Sequence, residues 1–95
     1  MPEMRFHIRW PDGTVEACYS PSLVVKDFLV PEQTYPVAEF LELSRTALTL
    51  ASDRVFAKHG FPCPRAIGQL KRIESTAARF AASPEAQVEV LGFEE

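Results

Sequence analysis

Apolar and polar residues alternate from Met4 to Trp10, with Met4, Phe6, Ile8 and Trp10 on one face and Arg5, His7 and Arg9 on the other. A period of two predicts a strand with one wet side. Pro11-Asp12-Gly13 is a turn signal, and Val15, Ala17 and Tyr19 resume the alternation, so a β-hairpin follows. Pairing Trp10 with Val15, Ile8 with Ala17 and Phe6 with Tyr19 keeps every apolar residue on one face. The same register sets Arg9 opposite Glu16, a favourable cross-strand pair, and His7 opposite Cys18.

From Pro36 the period lengthens. Val37, Phe40, Leu41, Leu43, Ser44, Ala47, Leu48, Leu50, Ala51 and Val55 fall within roughly half of a helix circumference at about 100° per residue, which predicts an amphipathic helix from Pro36 to Lys58. Pro36 suits the first helical position, with Thr34 or Tyr35 as the cap. His59-Gly60 supplies the stop, with Lys58 and His59 in the last turn. A second helix starts at Pro64 with Cys63 in the capping position, and it runs to Ser83-Pro84 with Ala66, Leu70, Ile73, Ala77, Phe80 and Ala81 as its buried stripe. Gln87 to Phe93 reads as a last strand with Val88 and Val90 inward.

Residues 20–35 fit no single period. Pro21, Pro31 and Pro36 punctuate them, yet Leu23, Val24, Val25, Phe28, Leu29 and Val30 are too apolar for a solvated loop. A packed connection is expected, with a short edge strand near 23–26. The wide apolar arc of the first helix asks for both a second helix and a sheet. The expected fold is therefore α+β: one small β-β-α-α-β domain over residues 1–95, with a three-stranded sheet and two antiparallel helices on one face. The last strand is placed beside the first and parallel to it; the alternative sets it antiparallel beside the second.

Size and composition agree with a single core: 95 residues, 46% hydrophobic and 24% charged. A chain this small buries only about 60–65% of the surface it exposes when unfolded, so a partner subunit would add stability. No stretch approaches the roughly 18 apolar residues of a membrane span, and the N-terminus carries no address, so the expectation is a cytoplasmic protein without a membrane partner. Cys18 and Cys63 stand in no ligand or redox spacing, which favours free thiols. The net charge of −3 is unevenly spread. Glu85, Glu89, Glu94 and Glu95 crowd the C-terminus, while Arg65, Lys71, Arg72 and Arg79 face only Glu74 on the second helix. Bulk attraction to nucleic acid is not expected.

Met-Pro-Glu-Met-Arg-Phe-His-Ile-Arg-Trp-Pro-Asp-Gly at 1–13, Cys-Tyr-Ser-Pro-Ser at 18–22, Lys26-Asp27-Phe28, the run from Tyr35 to Leu41 and Lys58-His-Gly-Phe-Pro-Cys63 resemble a family of small bacterial nitrogen-starvation-response proteins. That family is encoded beside a nitrilase in a conserved gene cluster. The resemblance spans essentially the whole chain and brings no catalytic motif and no cofactor. It implies a bacterial cytoplasmic accessory protein of nitrogen metabolism. Nitrilase activity does not follow, because it needs a Glu-Lys-Cys constellation on a far longer chain.

Several groups of residues carry chemistry worth testing. Cys63 at a helix N-terminus, with His59 and Arg65 close in sequence, is a reactive-thiol candidate; its plain alternative is a small turn residue between two prolines. His7 and Cys18 would offer two metal sites and His59 with Cys63 two more, but nothing in the sequence joins the two ends, and no metal is expected. Arg65, Arg72 and Arg79 recur every seven residues and form one line, a nucleic-acid candidate against which the acidic total charge argues. Leu43, Leu50 and Phe56 are candidates for an apolar surface that binds a protein, either itself or another product of the gene cluster. Arg9, Trp10, Asp12, Ser20, Ser22, Lys26 and Asp27 are candidates for a small-molecule site, with Arg9 and Lys26 suited to an anion and Asp27 accepting hydrogen bonds. Interaction without catalysis leads, since no catalytic set is present and the sheet edges are expected to be open.

Overall fold

A computed structural model describes residues 3–95 and contains four strands and two α-helices. Strands β1 (Met4–Arg9) and β2 (Val15–Ser20) form the hairpin. A 3-10 helix over Leu23–Asp27 follows, then β3 (Thr34–Pro36), α1 (Val37–His59), α2 (Pro64–Ala78) and β4 (Gln87–Glu94). The sheet is antiparallel throughout, in the order β2-β1-β4-β3.

The α+β class and the succession of hairpin, two helices and strand are as expected, but the sheet has a fourth strand and β4 lies antiparallel to β1. The reason is parity. Residues Thr34–Pro36, expected to cap a helix, instead pair with Gln87–Glu89 as an edge strand. The segment before them carries the chain from the β2 side to the far edge. Each element from β2 to β4 then reverses the one before it, so β4 returns antiparallel to its neighbour β1. The apolar run at 23–26 is a 3-10 turn rather than a strand, because Ser22 caps it through its hydroxyl and Val25 accepts from both Phe28 and Leu29.

The hairpin register is also displaced by one residue. Phe6 pairs with Cys18, Ile8 with Glu16 and Arg9 with Val15. Cys18 and Ser20 are consequently buried, whereas Val15 and Ala17 face solvent. Burial of Trp10 explains the slip: its indole N–H needs an acceptor away from water, and Glu16 Oε1 provides one at 2.8 Å only when residues 16, 18 and 20 turn inward.

The core lies between the sheet and the helices. Phe6 and Ile8 of β1, Trp10 just after it, and Val88 and Val90 of β4 meet Phe40, Ala47 and Leu48 of α1 and Ile73 and Ala77 of α2. Trp10 sits edge-on to Phe40 and stacks on Phe80, with centroids 5.6 and 6.1 Å away. Pro36 is the N-cap of α1 and offers it no side-chain hydrogen bond, while Gly60 closes the helix with φ 81°, its N–H on the carbonyl of Phe56. Cys63 caps α2 with Pro64 at its first position. The helix ends at Ala78, earlier than expected, in successive turns through Ser83, so Ala81 is exposed instead of buried.

Candidate functional site

The helices pack antiparallel through small residues. Ser52 Oγ accepts the Cys63 N–H at 3.2 Å, which ties the interhelical turn to α1 and fixes which residues stand opposite each other. On the solvent side of this seam two cavities open. One, of about 470 Å³, lies at the base, between the start of α1 (Val37, Ala38, Leu41), the end of α2 (Ala77, Ala78) and the turn through Phe80 and Pro84. The other, of about 220 Å³, lies nearer the interhelical turn, between Leu48, Thr49 and Asp53 of α1 and Ala66, Ile67 and Leu70 of α2.

Arg45 and Glu74 separate the two. Arg45 donates from Nε and Nη2 to Glu74 Oε2 at 3.3 and 3.1 Å and from Nη1 to Glu42 Oε1. Two carboxylates thus face one guanidinium, and the bridge keeps a residual negative charge. At the tip of the helical hairpin Phe56, Phe61 and Ile67 are 55%, 58% and 41% exposed. Large apolar side chains exposed together at one end of a small domain are an uncommon use of surface.

The other sequence candidates fall in several places. Leu43 and Leu50 lie on the flank of α1 that carries Arg54, which donates to Ser22 Oγ at 3.1 Å, so they face the 20–30 connection and do not join Phe56. Arg9 pairs with Glu89 at 2.9 Å on the outer face of the sheet, and Lys26 pairs with Glu95 at 2.6 Å. Asp12 accepts the Thr14 N–H in the hairpin turn and lies 3.5 Å from Arg79. Those contacts, led by the Thr14 backbone N–H, hold its carboxyl below the usual carboxylate range. Trp10, Ser20 and Ser22 are buried; Ser20 donates to the Ser22 carbonyl, and Asp27 stays exposed at the end of the 3-10 helix. The seven small-molecule candidates do not converge on one cavity.

The arginine line faces the hairpin. Arg65 lies 3.8 Å over the Tyr19 ring, Arg72 donates to Gln69 Oε1, and Arg79 approaches Asp12. Gln69 covers the outer edge of β2 by accepting the Tyr19 N–H at 2.9 Å. At the other edge β3 is three residues long and ends in Pro36. Each edge thus carries a feature that discourages strand addition, while Val15 and Ala17 of β2 stay exposed.

His7 points to the outer face near Glu94, and Cys18 lies in the core, so the expected pairing of imidazole and thiol dissolves with the register. Burial, reinforced by Glu16, pushes the Cys18 thiol up. Cys63 is buried beneath the turn, while His59 stacks at a tilt on Phe61 and Arg65 covers Tyr19. Both cysteines are unbridged.

Sequence reasoning missed the two cavities. For the larger one the available signal was the alanines at 77, 78 and 81 opposite Ala38, since small side chains at a crossing leave volume that larger ones would fill.

The geometry defines a class: a small α+β domain with two helices on one face of a four-stranded antiparallel sheet, open along its helical seam. The chain belongs to the NitG family, described as nitrogen starvation-induced protein NitG, whose family model matches residues 5–93. No curated protein and no solved structure matches the chain. Among the described residues no helix is long and apolar enough to cross a membrane.

Proposed function

We propose that this chain is a non-catalytic, cytoplasmic interaction protein of the bacterial nitrogen-starvation response, and that it docks a protein partner on the tip of its helical hairpin. One observation carries this reading: Phe56, Phe61 and Ile67, in the last turn of α1, the interhelical turn and the first turn of α2, are all exposed, and Ile67 lines the 220 Å³ cavity. Exposed aromatic side chains are enriched at the centres of protein interfaces. The partner is a second copy or another product of the nitrilase gene cluster. An anion site on the hairpin and the 20–30 connection has less support, because Arg9 and Lys26 are each matched by a glutamate.

The test is a tagged pull-down from the native cell under nitrogen limitation, with sedimentation of the purified protein alongside. A stoichiometric partner or a fixed dimer, lost on Phe56→Glu combined with Ile67→Glu, is expected. A monomer without a stoichiometric partner, or a complex that tolerates the double substitution, overturns the reading.

A further inference from the structure

We infer that the 470 Å³ cavity at the base of the helical seam binds a small primary amine with an apolar body, at a site separate from the partner surface at the tip. Its volume falls in the range of small-ligand pockets, about 300–1,000 Å³. Leu41 and Phe80 supply apolar wall, and Ala38, Ala78 and Ala81 leave the space between them open. The end of the cavity is formed by an ordered turn: the Phe80 N–H donates to Ala77, Ser83 to Phe80 and Ala86 to Ser83, each at 3.0 Å.

Charge enters from one side only, through Arg45 and Glu74, with Ser83 the other polar lining residue, and the free acceptor on that side selects the ligand. Arg45 is engaged at Nε, Nη1 and Nη2 by Glu42 and Glu74, which leaves it poorly placed to receive an anion. Both of its bonds to Glu74 fall on Oε2, so Oε1 is available to accept from a ligand. Glu74 is the one carboxylate of the lining, and its unengaged oxygen favours a donor cation over a carboxylate, with Glu42 adding negative potential from outside the cavity. An ammonium donating to Glu74 with its chain or ring against Leu41 and Phe80 satisfies both halves of the site.

The fold supplies its own reporter. Phe80 lines the cavity and stacks on Trp10, the one tryptophan of the chain, so occupancy at Phe80 reaches the indole through that stack. The experiment titrates the purified full chain with 2-phenylethylamine and, separately, 3-phenylpropanoate, reading Trp10 emission and backbone amide shifts. Saturable amine binding with a dissociation constant of roughly 0.1–1 mM is expected for a ligand of this size. The shifts should centre on Ala38, Ala78 and Ala81, and the carboxylate should leave them unmoved. Glu74→Gln should weaken the amine by about tenfold, the loss of one charge-assisted hydrogen bond. Ala78→Phe, at an exposed position, should abolish binding while circular dichroism shows a folded chain; Ala81→Phe serves the same end if the first variant unfolds. Phe56→Glu should leave the titration unchanged, which separates this site from the proposed partner surface. Absence of saturable amine binding up to about 10 mM, equal binding of the carboxylate, indifference to Glu74→Gln, or shifts centred elsewhere overturns the inference.

Discussion

Gln69 of α2 donates from Nε2 to Glu16 Oε2 of β2 at 3.3 Å, across the seam between the helical layer and the edge of the sheet. Its own Oε1 accepts both the Tyr19 N–H and Arg72. Glu16 in turn holds the buried indole of Trp10. One amide therefore joins α2 to the backbone and side chains of β2 and, through Glu16, to the core. Removing it strands several partners at once.

Gln69→Leu keeps the volume but leaves the Tyr19 N–H and Glu16 short of a partner. An unmade hydrogen bond at a buried group costs about 1–3 kcal/mol, and a loss of that size is expected in urea unfolding. Gln69 is 2% exposed, so water replaces little of what is lost. A loss below about 0.5 kcal/mol would show that the network contributes little.

The same network marks where sequence reasoning reached its limit. Helix existence, the Gly60 stop, the Cys63-Pro64 start and the inward Val88 and Val90 follow directly from periodicity and cap chemistry. The hairpin register does not. Val15, Ala17 and Tyr19 form the better apolar face, but Trp10 requires an acceptor, and Glu16, Cys18 and Ser20 occupy the inner side instead. Tertiary demand from a single buried N–H outweighed the local pattern. The edge strand Thr34–Pro36 was hidden for a different reason: three residues are too few to show a period, and missing them inverted the direction of β4. The larger cavity was legible only as a cluster of alanines, which marks small volume at a crossing without saying whether a neighbour fills it.

Asp12 makes acid stability testable. Its carboxyl is held low by the Thr14 backbone N–H first, then the Thr14 hydroxyl, with Arg79 adding to both. A folded-state value depressed below the ordinary 3.8 means that the carboxylate contributes stability above that pH, and the contribution fades as pH falls through the folded value. Urea midpoints of the wild type and Asp12→Ala should therefore differ at pH 7 and converge below pH 3.8. A constant gap across that range would place the effect of Asp12 in turn geometry rather than in charge.

Cys18 should be inert in the native protein. It is 0% exposed, and burial favours its thiol form over the reactive thiolate. In a Cys63→Ser background, labelling by a thiol reagent at pH 8 should proceed only through unfolding, with a rate that rises steeply with urea. Rapid labelling without denaturant would reveal local opening of the hairpin.

Glu32 occupies the left-handed region with φ 68° at the turn where Gln33 donates to Val30. Its own N–H bonds the Val90 carbonyl at 2.7 Å, which holds it there. A side chain in this conformation costs about 1 kcal/mol that glycine does not incur, less the extra freedom glycine gains in the unfolded chain. Glu32→Gly should leave stability unchanged or raise it by up to about 1 kcal/mol. A clear loss in urea midpoint would mean that the Glu32 side chain itself holds the connection.

Ser44 stands on the buried face of α1, 0% exposed, and its hydroxyl has no hydrogen-bond partner among the described residues. It lies on the same face as Phe40, Ala47 and Leu48, where an unpaired hydroxyl is desolvated without compensation. Ser44→Ala removes that cost, keeps the Cβ in place and favours the helix by a few tenths of a kcal/mol. The void left by one oxygen takes back part of the gain. A net rise in stability of about 1 kcal/mol is expected, seen as a higher urea midpoint at an unchanged slope. A fall instead would require that the hydroxyl donates within the native helix, as serine does to the carbonyl four residues before it, and would turn Ser44 from a defect of the core into one of its fastenings.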